Sequence, residues 1–269
     1  LNLVASLPWY DLPVMQQRLD DFWSELKAQL HVRGAAPLPE MLERRIPLAQ
    51  QWADPGLVIS QCCGPDLFTL PAQLLRPVAR PIFSDLDCTP GHYFSHIVTA
   101  SGAGKNSSGR FVVNSTSSRS GCAALFEWAT VHGRPCEELL VSGSHAASLD
   151  CLRAGHAELA AIDAHSWPLL DTEGIVILGR STEAPAPPFV MHKDCLISPG
   201  TLLEALGHAL ERAGERVNIK GILATDARIY KPINQAGILG TPARRRTSAG
   251  LTNDRPTIQN TCLFSCLHD

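Results

Sequence analysis

The chain predicts an α/β protein, on three observations. Apolar strand-like runs alternate with segments of helical period, glycine and proline signals separate them, and three consecutive units repeat the order strand, polar loop, helix. This alternation argues for largely parallel sheets, in which the loops at the carboxyl ends of strands share one edge. At 269 residues the chain has room for one domain or for two lobes of about 100 to 150 residues, and two lobes are expected.

In chain order, Leu1 to Leu7 reads as a strand. Asp11 is placed to cap a helix with Pro13 in its first turn. Met15, Leu19, Phe22, Leu26 and Leu30 then recur at helical spacing, with Asp20, Asp21, Glu25 and Lys27 for the wet face. Pro47 to Ala53 suggests a second helix, Leu57 to Ser60 a short buried strand, and Leu67 to Leu75 a short helix ended by Pro77. Arg80 to Asp85 and Phe94 to Ala100 read as extended, and the polar, glycine-rich Gly102 to Gly109 as an exposed turn.

The three repeated units follow. Phe111 to Asn114 leads through a serine-rich loop into a helix from Gly121 to His132, closed by Gly133. Leu139 to Val141 leads through Ser142-Gly143-Ser144-His145 into a helix from Ala146 to Arg153, ended at Gly155. Ala157 to Ile162 leads to Asp163, His165 and Trp167. Shared strand polarity lets these three loops converge on one ligand. Gly174 to Leu178 is a further strand, Arg180 to Pro188 a proline-rich connector, and Phe189 to Met191 is extended. Ser198 and Pro199 begin a helix with Leu203, Leu206 and Leu210 on its apolar face. From Ile233 the pattern fades, and residues 236–269, with Arg244-Arg245-Arg246, read as a loosely attached tail carrying a solvated arginine run.

Composition narrows the function classes. The chain is 45% hydrophobic and 18% charged, as in ordinary globular proteins, and its formal net charge of −3 gives no global electrostatic reason to bind nucleic acid. No apolar run approaches the roughly 20 residues that cross a bilayer, so no direct membrane insertion is expected. The sequence opens on an apolar segment with neither the basic region nor the cleavage site of a signal peptide, and a signal already removed would leave the same start. Nine cysteines are scattered without a CxxC pair, so neither a zinc site nor a cofactor is expected. Cys122 and Cys151 sit among apolar helix residues and read as buried structural thiols, while Cys63 and Cys88 form the pair to test for a disulfide. No GxSxG, HExxH or P-loop pattern names a reaction.

The most chemically informative stretch is Phe111 to Gly121, where an apolar strand runs into a hydroxyl-rich loop that opens a helix. Helix amides and the positive end of the helix dipole attract an oxyanion, and Ser115, Thr116, Ser117 and Ser120 add hydroxyl donors. Serine and threonine are also ordinary turn and cap residues, so the loop has a second reading. Arg119 either pairs with the anion as a fork or points to solvent.

Taken together, Ala5 to Asp11, Ser60-Gln61-Cys62-Cys63-Gly64, Gly91 to Ser95, Asn114 to Gly121, Gly143 to Leu149 and Ala160 to Asp163 follow a family pattern in order and spacing. Over about residues 1 to 232 the chain resembles the phosphate- and phosphonate-type substrate-binding proteins of ABC transporters. The resemblance implies a two-lobed type II periplasmic binding protein fold, two mixed sheets flanked by helices with a cleft between the lobes. It places the crossovers near Phe94 to Ala100 and Pro188 to Met191, with lobe 1 formed by residues 1–95 and 190–235 and lobe 2 by residues 96–189. It implies capture of a small anionic ligand, delivery to membrane subunits of an ABC transporter, and a periplasmic location.

Within that frame His145 matches a ligand histidine of phosphonate-binding relatives, or serves only as a helix-start or core residue. Asp163 accepts from an ammonium group or a protonated phosphonate oxygen, or caps the following turn. Tyr10 and Tyr93 are placed to wall the cleft, and Gln61 and Cys63 fall near its floor, while Trp9 reads as packing. Asp66 and the cysteine-rich composition depart from the pattern, since an acidic residue would repel a dianion or recognise an amine, and free thiols oxidise in a periplasm. The alternatives are a cytosolic biosynthetic enzyme, with a cysteine and His145 as nucleophile and base, or an anion sensor on the same fold.

Overall fold

The computed structural model describes residues 3–102 and 109–232. The interior of the expected turn at Gly102 to Gly109 and everything from Ile233 lie outside the described residues. In chain order the elements are β1 (Val4–Ala5), α1 (Gln16–Val32), α2 (Leu48–Ala53), β2 (Leu57–Gln61), β3 (Leu75–Phe83), β4 (His92–Tyr93), β5 (Ser95–Ala100) and β6 (Arg110–Val113). They continue with α3 (Ala124–Val131), β7 (Glu138–Val141), α4 (His145–Arg153), β8 (Leu159–Asp163), β9 (Ile175–Arg180), β10 (Ala184–Pro185), β11 (Phe189–His192), α5 (Pro199–Ala213) and β12 (Ile219–Ala224).

Two five-stranded sheets result, in the orders β1-β2-β11-β3-β12 and β7-β6-β8-β5-β9. Both are mixed rather than largely parallel. In the first, β11 runs antiparallel to β2 and to β3; in the second, β6 is parallel to β7 and β8, whereas β5 is antiparallel to β8 and β9. A parallel neighbour requires a return crossover over one sheet. β5 and β11 instead arrive directly from the other sheet, so each enters against its neighbours.

The helices follow their apolar stripes. α1 buries Leu19, Phe22, Trp23, Leu26 and Leu30, and packs against α5, which buries Leu202, Ala205, Leu206, Ala209, Leu210 and Ala213. Leu203, expected on that face, is only partly buried at its margin. Asp11 does not cap α1. Its carboxylate receives Arg44 at 2.7 and 3.1 Å, a bidentate pairing that outcompetes a single cap bond, and two 3-10 turns, Pro8–Tyr10 and Pro13–Met15, lead into the helix.

The expected helix at Leu67 to Leu75 is two short 3-10 turns, Gly64–Phe68 and Ala72–Leu74, and the chain is already extended at Leu75. Pro77 therefore lies inside β3. Proline is tolerated in a central strand next to a bulge, and both prolines of β3 have one nearby. Pro77 faces Val190 beside the irregularity at Phe189/Val190, and Pro81 faces Ile222 beside the one at Ile219/Gly221.

In the second sheet the strands alternate between two cores. Phe111, Val113, Leu159 and Ala161 face α3, whereas Val112, Ala160 and Ile162 face α4. Between the sheets the chain crosses twice, joined by a ribbon of β4 against β10 that pairs Tyr93 with Ala184 and His92 with Pro185. Ser95 N–H donates to Ser181 Oγ at 3.0 Å and Ser181 N–H returns to Ser95 O at 2.9 Å. Phe94 to Ala100 and Phe189 to Met191 thus belong mainly to strands of the sheets, and the crossing itself is made just before each of them. No helix among the described residues is long and apolar enough to cross a membrane.

Candidate functional site

The serine loop follows β6 and is organised by its own hydroxyls. Ser117 N–H donates to Ser115 Oγ at 3.2 Å, and the two hydroxyls lie 2.9 Å apart. Ser118 is the extended N-cap whose Oγ accepts Gly121 N–H at 2.9 Å. A π-helical turn, Arg119–Ala123, then feeds α3. Glycine is required at position 121, because a Cβ there would sit 1.8 Å from Asn114 Oδ1. Ser115, Thr116, Ser117 and Ser120 are all partly buried.

The second loop ends at Ser144, which caps α4 by accepting Ala147 N–H at 3.1 Å. This makes His145 the first helical residue, one position earlier than the spacing suggests. Its Nε2 lies 3.2 Å from Ser120 Oγ, so the first two loops meet through this pair. Burial pushes the imidazole down to about 4, leaving it neutral near pH 7.

At the end of β8 Asp163 is 3% exposed. Oδ1 accepts the N–H groups of His165 and Ser166 at 2.8 and 3.2 Å, and Oδ2 accepts Tyr10 Oη–H at 3.3 Å. The turn-capping reading thus holds for one oxygen, while the other reaches Tyr10 of the opposite half of the molecule. Burial raises its pKa, against the lowering effect of His165, the two amides and Tyr10.

From the first sheet's half come Tyr10, Gln61 and Cys63. Gln61 Oε1 accepts Trp9 N–H at 3.3 Å and so holds the turn that carries Tyr10. Cys63 Sγ accepts Arg119 N–H at 3.4 Å, a direct bond to the start of the serine-loop helix. Tyr93, on the ribbon, is buried with its hydroxyl meeting Ser120, near Cys63, Asp163 and Arg119. Burial raises the pKa of Tyr10, Tyr93 and Cys63, so all three are neutral groups with a hydrogen to donate.

Several side chains differ from their expected roles. Arg119 neither points to solvent nor faces the loop hydroxyls; its guanidinium forks onto Glu127 at 2.7 and 2.6 Å, and Glu127 also accepts Thr182 Oγ–H at 3.1 Å. Asp66 accepts Cys63 N–H at 3.1 Å as a turn cap, and desolvation raises it to about 6. Cys63 and Cys88 are free thiols; Cys88 donates instead to His92 O at 3.1 Å. The arrangement around the loops is thus rich in neutral donors, with Asp163 Oδ2 as a carboxylate acceptor among them.

One residue absent from the predicted set stands at the same edge. His165 is 2% exposed, stacks on Phe83 at 4.1 Å, meets Tyr10 edge-on at 4.4 Å and lies 2.9 Å from both oxygens of Asp85. Its place just after a strand-end aspartate is a weak local signal, but its partner is 80 residues away in sequence. With Tyr10–Asp163 and Cys63–Arg119, it makes a third direct bond between the two halves. Among the described residues no group of three or more histidine, cysteine or acidic side chains is arranged to hold a metal ion.

Two mixed sheets linked by a double crossover, with the site loops facing each other between them, define the two-lobed type II periplasmic binding protein fold. Solved structures share it. PhnD1 from Prochlorococcus marinus in complex with methylphosphonate is 17% identical with a TM-score of 0.60, covering 86% of this chain and 94% of that one. A binding protein component of an ABC phosphonate transporter from Pseudomonas aeruginosa is 12% identical with a TM-score of 0.61, over 83% of this chain and 81% of its own. A Xanthomonas citri protein bound to ATP is 11% identical with a TM-score of 0.55, over 83% and 91%. At these identities the likeness is one of fold. No protein-family profile and no curated protein matches the chain.

Proposed function

We propose that this chain is a solute-binding protein that captures a small oxyanion, of the phosphonate or phosphate type, in the cleft between its lobes and delivers it to the membrane subunits of an ABC-type importer. The lobes are residues 1–95 with 190–235, and residues 96–189, and they close around the ligand by hinging at the β4–β10 ribbon. The periplasm is the compartment that fits this role.

The observation that carries the reading is the meeting of the serine loop, His145, Tyr93 and Cys63 at one helix N-terminus, opposite Tyr10 and Asp163. Ser115, Thr116, Ser117 and Ser120 donate to the anion through their hydroxyls, joined by the Ser120 amide and by the Arg119 amide once it leaves Cys63 Sγ, with Tyr10 and Tyr93 walling it. Gln61 sets the Tyr10 turn. Asp163 Oδ2 accepts either from a protonated oxygen of the ligand or from an ammonium group it carries. Since Arg119 is committed to Glu127, charge is met by amide and hydroxyl dipoles rather than by a paired cation.

No covalent chemistry is needed for this role. A cysteine–histidine nucleophile pair requires a stabilised thiolate, whereas here burial raises Cys63 and lowers His145. A thermal-shift screen against phosphate, methylphosphonate, aminoethylphosphonate, sulfate and taurine tests the proposal. Stabilisation by a phosphonate or phosphate is expected, and stabilisation by a carboxylate or heterocycle with none by any oxyanion contradicts it.

A further inference from the structure

β1 and β12 are the edge strands of the first sheet, and β7 and β9 those of the second. An edge strand is a template for another strand, and proteins blunt such edges with charges, prolines or short length. β1 has two residues, β12 carries Lys220, and β7 begins at Glu138 with its two leucines partly buried. β9 has no charge or proline before its last residue, Arg180.

The centre of β9 is Val176, Ile177 and Leu178, which are 44%, 43% and 46% exposed. Successive side chains of a strand point to opposite faces, so three consecutive exposed apolar residues mark a margin that is bare on both faces. β5 pairs with the inner edge, leaving Leu178 as an extra residue between Ile177 and Gly179. Among the described residues no strand pairs with the outer edge. Branched apolar side chains such as these favour strand pairing.

The charges at the two ends of β9 select the partner. The turn that enters the strand carries Asp171 and Glu173, both exposed, and the strand leaves through Arg180, whose side chain is 51% exposed. A second copy related by a two-fold axis runs antiparallel, so the acidic entry of each strand meets the basic exit of the other. A parallel copy would set like charges side by side. Arg180 already holds Glu183 at 3.0 Å, and its five N–H donors can take a second carboxylate.

We propose that β9 is a homodimer interface, in which the β9 strands of two copies pair antiparallel about a two-fold axis near Val176 and Ile177 and join their second sheets into one. β5 stands between β9 and the strands that carry the site loops, so this interface is independent of what the cleft binds. A strand pair this short buries less surface than a standard interface, and the dissociation constant is expected on the order of 100 μM.

Sedimentation velocity of the full chain, with its thiols kept reduced, from about 10 μM to about 1 mM tests the interface. A monomer–dimer equilibrium is expected, and Ile177→Lys, which sets a charge at the centre of the edge, is expected to abolish it. Glu173→Arg and Arg180→Glu are each expected to weaken self-association about tenfold, because each brings like charges together. An equal mixture of these two variants restores opposite charges at both ends and is expected to restore the dimer. The mixture reads the same interface if Ile177→Lys does not fold. A wild type that stays monomeric throughout overturns the interface. A dimer that persists in folded Ile177→Lys overturns its location, a mixture no stronger than the separate variants overturns the antiparallel pairing, and open-ended growth overturns the two-fold closure.

Discussion

His145 and Asp66 carry opposite consequences for stability, each caused by burial. The folded imidazole titrates at about 4, below its ordinary 6.5, so between those values the unfolded chain binds more protons and folding stability rises with pH. Asp66 moves the other way, from 3.8 to about 6, so between those values the folded chain binds more protons and stability falls as pH rises. Urea unfolding from pH 4 to 7 is expected to lose the rising contribution in His145→Asn and the falling one in Asp66→Asn. Gly121→Ala drives a methyl into Asn114 Oδ1 and is expected to cost about 1–3 kcal/mol together with oxyanion affinity, by denaturation and calorimetry. Asp163 at a strand end was legible as a residue type because its turn cap depends on neighbours within three positions. Arg119–Glu127 and His165–Asp85 were not, since a π-helical turn resets the helical phase in one case and the other spans two lobes.

Element boundaries were legible where period and cap agreed, as at α5, where Ser198 caps the helix that Pro199 opens. They misled where proline carried the argument. Pro77 reads as a helix stop, yet β3 continues through Pro77 and Pro81 because bulges in its neighbours remove the need for an N–H there. The parallel sheets implied by local alternation gave way to mixed ones for a related reason: local pattern does not say from which sheet a strand arrives. Tyr230 shows how one residue fastens an element whose neighbours carry little pattern. Its ring packs against Gly64, where a Cβ would lie 2.3 Å from the ring, and its hydroxyl donates to Ala186 O at 3.0 Å. Tyr230→Phe is expected to cost about 1 kcal/mol, while Tyr230→Ala, which empties the space under the Cys62–Gly64 loop, is expected to cost about 3–5 kcal/mol, both read from chemical denaturation.

At the scale of the molecule the two lobes touch through groups of the proposed site and through a histidine–aspartate pair beside it. Tyr10 meets Asp163, Cys63 meets Arg119 N–H, and Asp85 meets His165. In the proposed role the ligand exchanges the first two for itself and leaves the Asp85–His165 pair in place. Asp85→Asn combined with Tyr10→Phe is expected to enlarge the radius of gyration of the ligand-free protein in small-angle scattering, and an unchanged radius would show that closure does not depend on these bonds. The central claim concerns the serine loop as an oxyanion site. Phosphorus NMR of methylphosphonate, titrated with the wild-type protein and with the Ser117→Ala, His145→Ala variant, tests it most directly. The account predicts a saturable bound resonance for the wild type that vanishes in the folded variant, and the same bound resonance in both proteins, or none in the wild type, would contradict it.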